Sequence, residues 1–210
     1  MMDFFSTAYL EQQYDLMAQS YNDNRHLFDN SAQLEELGRL VSKGDWVLDA
    51  GCGSGIPVAR YFVGLGCEVI GIDVSGKMIE LAMKNVPGGK FEKADILDVD
   101  YPPDHFSLVV SFYCIFHVSL RLQSAVFERF FAWTKPGGHS YFTLAGEGYT
   151  GKPHYEGTME FGDSILPYAH FSEDKYRDLL SQVGFTVLSM RNLCIGGETM
   201  LWVLVGKSGT

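Results

Sequence analysis

Nine consecutive residues give the clearest structural signal in the chain: Val47-Leu48-Asp49-Ala50-Gly51-Cys52-Gly53-Ser54-Gly55. The segment starts as a short apolar strand and ends in three glycines separated by single residues. Glycines at a strand-to-helix junction let the backbone turn tightly and let a ligand approach without meeting a Cβ atom. The spacing therefore predicts a ligand-binding loop at the carboxyl end of the first strand.

Strand and helix patterns alternate on the carboxyl side of this loop, which is typical of a parallel α/β sheet with helices on both faces. Two helical segments precede the loop, and the chain closes with a helix capped by Ser172 and a strand hairpin turning at Gly196-Gly197. The predicted strands are Trp46–Leu48, Glu68–Ile72, a strand headed by Phe91, Phe106–Phe112, Ser140–Leu144, Phe185–Met190 and Met200–Val205.

Two carboxylates flank the predicted loop. Asp73 ends the second strand about 20 residues past the glycines, where a Rossmann-like unit binds ribose hydroxyls. Asp49 stands immediately before the glycines, where its charge would repel a pyrophosphate but attract an ammonium or a sulfonium. The glycine spacing also differs from the G-x-G-x-x-G of dinucleotide sites. The charges therefore favour S-adenosylmethionine over NAD as the ligand.

Composition argues against polyanionic partners. The formal net charge is -10 and the sequence pI is near 4.9, with no Lys/Arg cluster. Such a surface repels phosphate backbones and anionic lipid headgroups, so neither nucleic acid nor a membrane is the expected partner.

The cysteines and the amino-terminal segment indicate the cellular compartment and the absence of a metal site. The four cysteines, Cys52, Cys67, Cys114 and Cys194, show no ligand spacing, which indicates free thiols in a reducing compartment. The segment Met1–Phe5 has no signal-peptide pattern, and the apolar run from Phe106 to Leu120 is too short to span a bilayer. We therefore expect a cytoplasmic protein without a metal site.

The ordered set of motifs resembles the class I S-adenosylmethionine-dependent methyltransferases, in particular the small-molecule branch of ubiquinone- and menaquinone-pathway type. The matching pieces are 47–55, 71–75, 94–96, 106–118, 135–138 and Gly184-Phe185. The resemblance implies a Rossmann-like, doubly wound sheet of seven strands in the order 3-2-1-4-5-7-6, with strand 7 antiparallel. It also implies one domain over residues 1–210, with an N-terminal helical cap (1–44) and an acceptor-side insertion after the fifth strand (146–171).

The resemblance also implies roles for individual residues toward S-adenosylmethionine and its product S-adenosylhomocysteine. Gly51, Gly53 and Gly55 would line the methionyl and ribose portion, with Asp49 near the amino group. Asp73 would hold the ribose hydroxyls, Met78 would pack on adenine and Asp95 would accept from its amino group. The complete expected set is Tyr14, Tyr21, Arg25, Asp49, Ala50, Gly51, Gly53, Gly55, Asp73, Val74, Met78, Asp95, Ile96, Ser111 and Phe112.

The acceptor side is less sharply defined, and the acceptor itself is expected to be an unidentified small molecule. His117 follows the fourth strand and is either a general base facing the acceptor or a histidine satisfied within the core. The segment Gly146–Phe171 has no clear periodicity and is long for a connection, which predicts a functional loop. Tyr149, Tyr168 and His170 in it either form the acceptor pocket or only fill the insertion. Two other classes stay open, a non-catalytic S-adenosylmethionine-binding module and an NAD-dependent oxidoreductase.

Overall fold

A computed structural model describes residues 3–209, so residues 1, 2 and 210 of the expected domain lie outside the described part of the chain. The strands are β1 (Trp46–Ala50), β2 (Glu68–Asp73), β3 (Lys90–Lys93), β4 (Phe106–Ser111), β5 (Thr134–Leu144), β6 (Tyr155–Phe161), β7 (Ser164–His170), β8 (Thr186–Ile195) and β9 (Glu198–Gly206). The α-helices are α1 (Thr7–Asn24), α2 (Ser31–Gly38), α3 (Val58–Gly64), α4 (Gly76–Asn85), α5 (Leu120–Trp133), α6 (Glu147–Thr150) and α7 (Glu173–Val183). Two 3₁₀ turns cover Arg25–Leu27 and Ile115–His117.

Seven strands form one sheet in the order β3-β2-β1-β4-β5-β9-β8. The first five strands are parallel, and β9 runs antiparallel between β5 and β8. The sheet predicted from the sequence is therefore confirmed, with β8 and β9 as its sixth and seventh strands. The order reverses between β1 and β4, and their carboxyl ends open a crevice where α/β sheets bind ligands.

The two faces of the sheet are covered because the central strands are apolar on both sides. All six residues of β4 are buried, as are four of the five in β1. One core lies under α2 and α3, and the other lies under α5 and α7. Strands buried on both faces read as continuous apolar runs, which is how the fourth strand was recognisable.

The N-terminal helix α1 lies across the carboxyl edge of the sheet and is held there by polar contacts. Asp15 accepts hydrogen bonds from the Ser75 hydroxyl and from the Lys77 N–H at the start of α4. Thr7 donates to Asp95 beyond β3, and the Tyr9 hydroxyl donates to the Ile165 carbonyl in β7. The helix thus bridges the crevice, and its role as a cap over a bound cofactor stays a prediction.

The expectation of a loop without regular structure between Gly146 and Phe171 was wrong. The segment contains the short helix α6 and an antiparallel hairpin of β6 and β7, which form a separate two-stranded sheet. The hairpin turns at Gly162-Asp163, with Gly162 at φ +56°. Gly-Asp between two strands suits the tight turns whose twist matches a hairpin. Strand β7 packs against the turn at Ile115–His117, so the insertion reaches the end of β4.

None of the helices in the described part of the chain is both long enough and apolar enough to cross a membrane.

Candidate functional site

The glycine loop between β1 and α3 turns back toward β2. Gly51 and Cys52 both donate backbone hydrogen bonds to the Ile72 carbonyl, at 2.8 and 2.9 Å. Gly51 and Gly53 have φ of +75° and +51°, which side chains with a Cβ rarely adopt. Both glycines line the main cavity, so their backbone is what a ligand would meet.

Gly55, the third glycine of the loop, has different surroundings from the other two. A Cβ atom on Gly55 would lie 3.1 Å from Val86 and 3.4 Å from Ala82, because this glycine lets the loop pack closely on α4. Gly55 does not line the main cavity. Its packing holds the loop against α4, and its contact with the cofactor stays a prediction.

The main cavity has a volume of about 380 Å³ and lies between α1 and the carboxyl ends of β1, β2 and β4. We call it the cofactor cavity. The site residues predicted from the sequence that line it are Tyr14, Tyr21, Gly51, Gly53, Asp73, Val74, Met78, Asp95, Ile96, Phe112 and His117. Those that do not line it are Arg25, Asp49, Ala50, Gly55, Ser111, Tyr149, Tyr168 and His170.

Asp73 is fixed at the mouth of β2 by backbone donors. Its Oδ2 accepts from the Gly53 N–H at 2.9 Å, and its Oδ1 accepts from the Ser75 N–H at 2.9 Å. Burial raises the pKa of Asp73 to about 6, although these N–H groups oppose the shift. A buried carboxylate in this position has acceptor capacity left for ligand hydroxyls.

Asp49 lies beneath the glycine loop and is only 2% exposed. Its Oδ2 is buried without a hydrogen-bond partner, and the Ala59 N–H is the backbone donor to its carboxyl group. Burial raises the pKa of Asp49 to about 7, and the nearby Asp73 adds to the shift. A buried carboxylate without a partner is costly to keep charged, so a cation or a hydrogen-bond donor next to Oδ2 would stabilise the charged form.

Asp95 is engaged on both oxygens. Its Oδ1 accepts from the Leu97 N–H at 2.8 Å, and its Oδ2 accepts from the Thr7 hydroxyl of α1. The residue still lines the cofactor cavity, next to Ile96 and opposite Val74 and Met78 in a largely apolar section. This section is suited to a flat ring with an edge amino group.

His117 is 5% exposed and is held from two sides. Its Nδ1 lies 2.7 Å from the Pro167 carbonyl of β7, and its Nε2 lies 2.7 Å from the Tyr14 hydroxyl of α1. A carbonyl only accepts, so Nδ1 carries the proton and Nε2 accepts from Tyr14. Burial lowers the pKa of His117 to about 4, which leaves the ring neutral at physiological pH. His117 therefore ties the hairpin to α1 at the edge of the cavity.

A second, much smaller cavity of about 20 Å³ adjoins His117. We call its walls the aromatic cage, which consists of Tyr14, Tyr21, Phe28, Tyr113, Phe116, His117, Phe161, Leu166, Tyr168 and Glu198. The cage shares four of these residues with the cofactor cavity: Tyr14, Tyr21, Tyr113 and His117. It shares Tyr21, Phe28 and Phe161 with an outer cavity of about 440 Å³ between α1 and the hairpin turn.

Arg25 is a buried cation on the outer side of the cage. Its guanidinium lies 5.2 Å from the Tyr113 ring centroid and 5.6 Å from that of Phe28. Its nitrogens donate to the Phe28 carbonyl and, at 2.7 Å, to the Asn30 side chain. Arg25 lines the outer cavity rather than the cofactor cavity, and its charge lowers the pKa of Asp49 against the effect of burial.

Two of the predicted acceptor residues lie outside all three cavities. His170 is fully buried, and its ring nitrogens lie 2.7 Å from the Thr150 hydroxyl and 3.0 Å from the Phe171 carbonyl. Tyr149 lies behind Tyr168, with the two hydroxyls 3.4 Å apart. Tyr168 alone of the predicted insertion residues reaches the cage, where its ring stacks on Phe116 at 5.1 Å.

Six residues of the cage were not predicted from the sequence, namely Phe28, Tyr113, Phe116, Phe161, Leu166 and Glu198. A signal existed for Tyr113, which directly follows Ser111-Phe112 at the carboxyl end of β4. Tyr113 has φ +56°, an uncommon conformation for a bulky residue, and such strain clusters at functional sites. Glu198 follows the predicted turn at Gly196-Gly197, and nothing in its local sequence relates it to the other residues of the cage.

Comparison with known proteins finds a similarity to methyltransferases over part of the chain. A profile described as a methyltransferase domain matches residues 47–138. Phosphoethanolamine N-methyltransferase 3 of Arabidopsis thaliana is 36% identical over 107 residues, which cover 49% of this chain and 21% of that protein. The corresponding enzyme of Plasmodium falciparum is 28% identical over 174 residues, which cover 78% of this chain and 64% of that protein. The chain thus spans less than two thirds of the length of these relatives.

A solved structure agrees with the profile. Phosphoethanolamine N-methyltransferase 2 of Haemonchus contortus, in complex with phosphomonomethylethanolamine and S-adenosylhomocysteine, superposes with a TM-score of 0.74 at 16% identity. The match covers 99% of this chain and 61% of that one. These proteins do not confirm the resemblance to the ubiquinone and menaquinone branch, which stays a prediction. Residues 47–138 thus match a methyltransferase-domain profile, and the chain has the Rossmann-like fold of the class I methyltransferases.

Proposed function

We propose that the protein transfers a methyl group from S-adenosylmethionine to a small molecule held beside His117. One observation carries the proposal. A single cavity runs from the glycine loop, Asp73 and Asp95 to His117, and there it meets the aromatic cage. A donor site and an acceptor site that share a wall are what methyl transfer needs, because its rate depends on alignment of the two reactants.

The residues present fit the cofactor in charge and in shape. Gly51 and Gly53 expose backbone to the cavity, and Asp49 keeps a buried oxygen without a partner near an expected ammonium group. Asp73 has acceptor capacity for ribose hydroxyls, and the apolar walls at Val74, Met78 and Ile96 suit adenine. In this arrangement the Arg25 guanidinium, on the side of the outer cavity, would offset the negative charge of the cofactor's carboxylate.

When bound, S-adenosylmethionine supplies a methyl group on a positively charged sulfur. The chain's own contribution is alignment and exclusion of water. Tyr14 and His117 join α1 to the hairpin across the junction of the two cavities, so the cap and the acceptor wall are positioned together. The neutral Nε2 of His117 is the proton acceptor at this junction once the Tyr14 hydroxyl turns away.

The first test concerns the cofactor. S-adenosylhomocysteine is expected to raise the unfolding temperature in a saturable way, by roughly 2.7 kcal/mol of stability at 100 times its Kd. NADH is expected to give no shift, because a pyrophosphate would lie against Asp49 and Asp73. The measurement is a thermal melt across a concentration series of each ligand, and a shift with NADH alone would favour the oxidoreductase.

Binding alone does not separate an enzyme from a cofactor-binding module. Incubation with labelled S-adenosylmethionine and a fractionated metabolite extract is expected to give products heavier by one methyl group. Saturable binding of S-adenosylhomocysteine without any labelled product would instead support the non-catalytic module.

A second prediction concerns Asp73. The Asp73→Asn substitution keeps the size of the side chain but removes a charged acceptor, and such hydrogen bonds contribute roughly 1.5–3 kcal/mol. We expect calorimetry to show the affinity for S-adenosylhomocysteine reduced by about tenfold or more. The matched control is Asp98→Asn, an exposed aspartate on the next connection that does not line the cavity, and it should bind like the wild type. Equal affinity in both variants would move the ribose contact elsewhere.

The acceptor is proposed to be a small molecule and not a nucleic acid, because the chain carries a net charge of -10. We propose a cytoplasmic location on the basis of the cysteines. All four are free thiols, and Cys52 and Cys67 are buried, which suits a reducing compartment.

A further inference from the structure

Glu198 is the one residue of the aromatic cage whose side chain is ordinarily charged at neutral pH, and its charge is negative. Glu198 begins β9 and is partly buried against the rings of the cage. It forms no ion pair with any residue between 3 and 209. Burial raises the pKa of Glu198, and no neighbouring cation opposes the shift. A carboxylate in these surroundings is stabilised by a ligand that brings a positive charge.

The rest of the cage is also suited to a cation. Tyr21, Phe28, Tyr113 and Tyr168 present aromatic rings around the same small space as Glu198. Aromatic faces attract cations within about 6 Å, and the gain rises to about 2 kcal/mol or more where the cation is desolvated. Arg25 already uses the outer faces of Phe28 and Tyr113 in this way. The rings and the carboxylate therefore favour the same kind of group.

The cage is unsuited to a phosphate. No Lys or Arg is among its lining residues, and recognition of phosphate normally requires such cations in bidentate or point contacts. Arg25, the nearest guanidinium, donates to Phe28 and Asn30 and is 7% exposed. A volume of about 20 Å³ is little more than the space that one water molecule needs. A phosphate would be large for this space and would face Glu198.

The geometry points to a specific acceptor class, which we propose as a phosphate-free amine with an apolar body, recognised by Glu198 and the surrounding rings. This inference rests on the proposed methyltransferase function and narrows it. The amino group would occupy the cage next to the donor site. The body would extend past Phe28 and Phe161 along Leu16 and Met17 into the outer cavity of about 440 Å³. The rest of that cavity's wall is polar and includes Ser20, Asn24, Arg25, Asp163 and Ser164.

Recognition of a cation and attack by a neutral nitrogen are compatible in this site. An alkylamine resembles a lysine side chain, with a pKa of about 10.4 in water, but desolvation lowers such values by several units. The amine binds protonated beside the Glu198 carboxylate and passes one proton to the neutral Nε2 of His117. The neutral nitrogen then bonds to the methyl carbon while the carbon–sulfur bond breaks, and that electron pair stays on sulfur. The methylated product leaves as a cationic amine.

The test uses the full chain saturated with S-adenosylhomocysteine. Calorimetry compares 2-phenylethylamine, its neutral isostere 2-phenylethanol, and phosphoethanolamine. We expect 2-phenylethylamine to bind at least tenfold more tightly than either of the others. With S-adenosylmethionine in place of the product, mass spectrometry is expected to find methylated 2-phenylethylamine in excess over methylated phosphoethanolamine.

Two variants assign the effect to the cage. Glu198→Gln preserves shape but removes the charge, so we expect the affinity for 2-phenylethylamine to fall about tenfold while that for 2-phenylethanol is retained. Phe161→Leu keeps an apolar wall but removes one ring, and it should weaken the amine more than the alcohol. Neither residue lines the cofactor cavity, so both variants should bind S-adenosylhomocysteine like the wild type.

Phosphoethanolamine binding as tightly as 2-phenylethylamine would overturn the inference, as would unchanged amine affinity in Glu198→Gln. Either result leaves the proposed function in place as long as S-adenosylhomocysteine still binds. Failure of S-adenosylhomocysteine to bind the wild-type chain would instead refute the proposed function, so the two failures are distinguishable.

Discussion

The Asp49→Asn variant is expected to unfold at a higher temperature than the wild-type chain at pH 8, and to lose most of its stabilisation by S-adenosylhomocysteine. Both effects come from one buried oxygen. Asp49 Oδ2 has no partner in the unliganded protein, so the charged form is poorly solvated there. A neutral amide removes that charge, and with it the group that we propose to bind the ammonium of the cofactor.

The dependence on pH follows from the direction of the pKa shift. Burial raises the pKa of Asp49 from its ordinary value of 3.8 to about 7, so between these values the folded chain holds a proton that the unfolded chain has lost. The protonated group contributes its full stability below its unfolded pKa, and this contribution is lost as the pH rises through the folded pKa. The loss of folding stability caused by the charged Asp49 in the wild-type chain is therefore complete above pH 7. About half of this loss is present at pH 5.5.

A shift of this size corresponds to about 4 kcal/mol, from which the cost of an unsatisfied amide in the variant must be subtracted. We expect a net gain of roughly 1–3 kcal/mol, or about 2–10 °C for a chain of this length. Thermal melts at pH 8 and pH 5.5, with and without S-adenosylhomocysteine, measure both effects together. The affinity for the ligand should fall by about tenfold or more.

Asp45→Asn is the matched control, and its expected effect on folding stability at pH 8 has the opposite sign. Burial raises the pKa of Asp45, but hydrogen bonds from Ser107, Ser42 and Lys135 outweigh it and leave the pKa lowered. Removing this charge should destabilise the chain at pH 8 and leave ligand binding unchanged, since Asp45 precedes β1 and lies at the opposite end of that strand from the glycine loop. A destabilised Asp49→Asn chain that keeps wild-type affinity would show that Asp49 supports the loop without meeting the cofactor.

Much of the sheet could be predicted from the sequence because its signals are local. The glycine loop, Asp73 and the apolar run of β4 each lie within a few residues of the strand end that they mark. Parallel strands with helical crossovers bring these ends to one edge, so local motifs were enough to predict the cofactor cavity. Ser172 caps α7 through the Lys175 N–H, and that helix ends at Gly184 as its pattern indicated.

The hairpin was missed because its burial pattern is weak. In β6 every second residue is exposed and the others are only partly buried, and a glycine occupies one of the partly buried positions, which weakens the apolar alternation. The turn at Gly162-Asp163 was a usable local signal for two strands, but it lay inside a segment read as irregular.

Local sequence patterns could not have predicted the aromatic cage. Its residues come from α1, the segment before α2, the end of β4, the hairpin and β9. No spacing in the sequence relates Phe28 to Glu198, because tertiary packing alone brings them together. This is why the cofactor could be predicted and the acceptor could not, since the geometry of the sheet fixes only the first of the two sites.

The largest loss of activity is expected for His117→Asn. The asparagine amide can replace Nδ1 as the donor to the Pro167 carbonyl, so the hairpin stays attached to the end of β4. What the variant lacks is Nε2, which holds the Tyr14 hydroxyl and is the only ring nitrogen free to accept a proton. A proton acceptor in position contributes typically 10²–10⁴-fold to a rate, so kcat/KM for methyl transfer should fall by about 100-fold or more.

The same substitution at His170 is the control. His170 is as buried as His117 and is also hydrogen-bonded through both nitrogens, but it lies outside the cofactor cavity and the cage. His170→Asn should therefore keep kcat/KM within about threefold and bind S-adenosylhomocysteine like the wild type. Because His117 lines the cofactor cavity, the activity of His117→Asn is compared at saturating S-adenosylmethionine. Because burial lowers the pKa of His117 to about 4, the wild-type pH-rate profile should show no loss of activity near pH 6.5 from this residue. Equal activity in both variants would reduce His117 to a packing residue and leave alignment of donor and acceptor as the source of the rate.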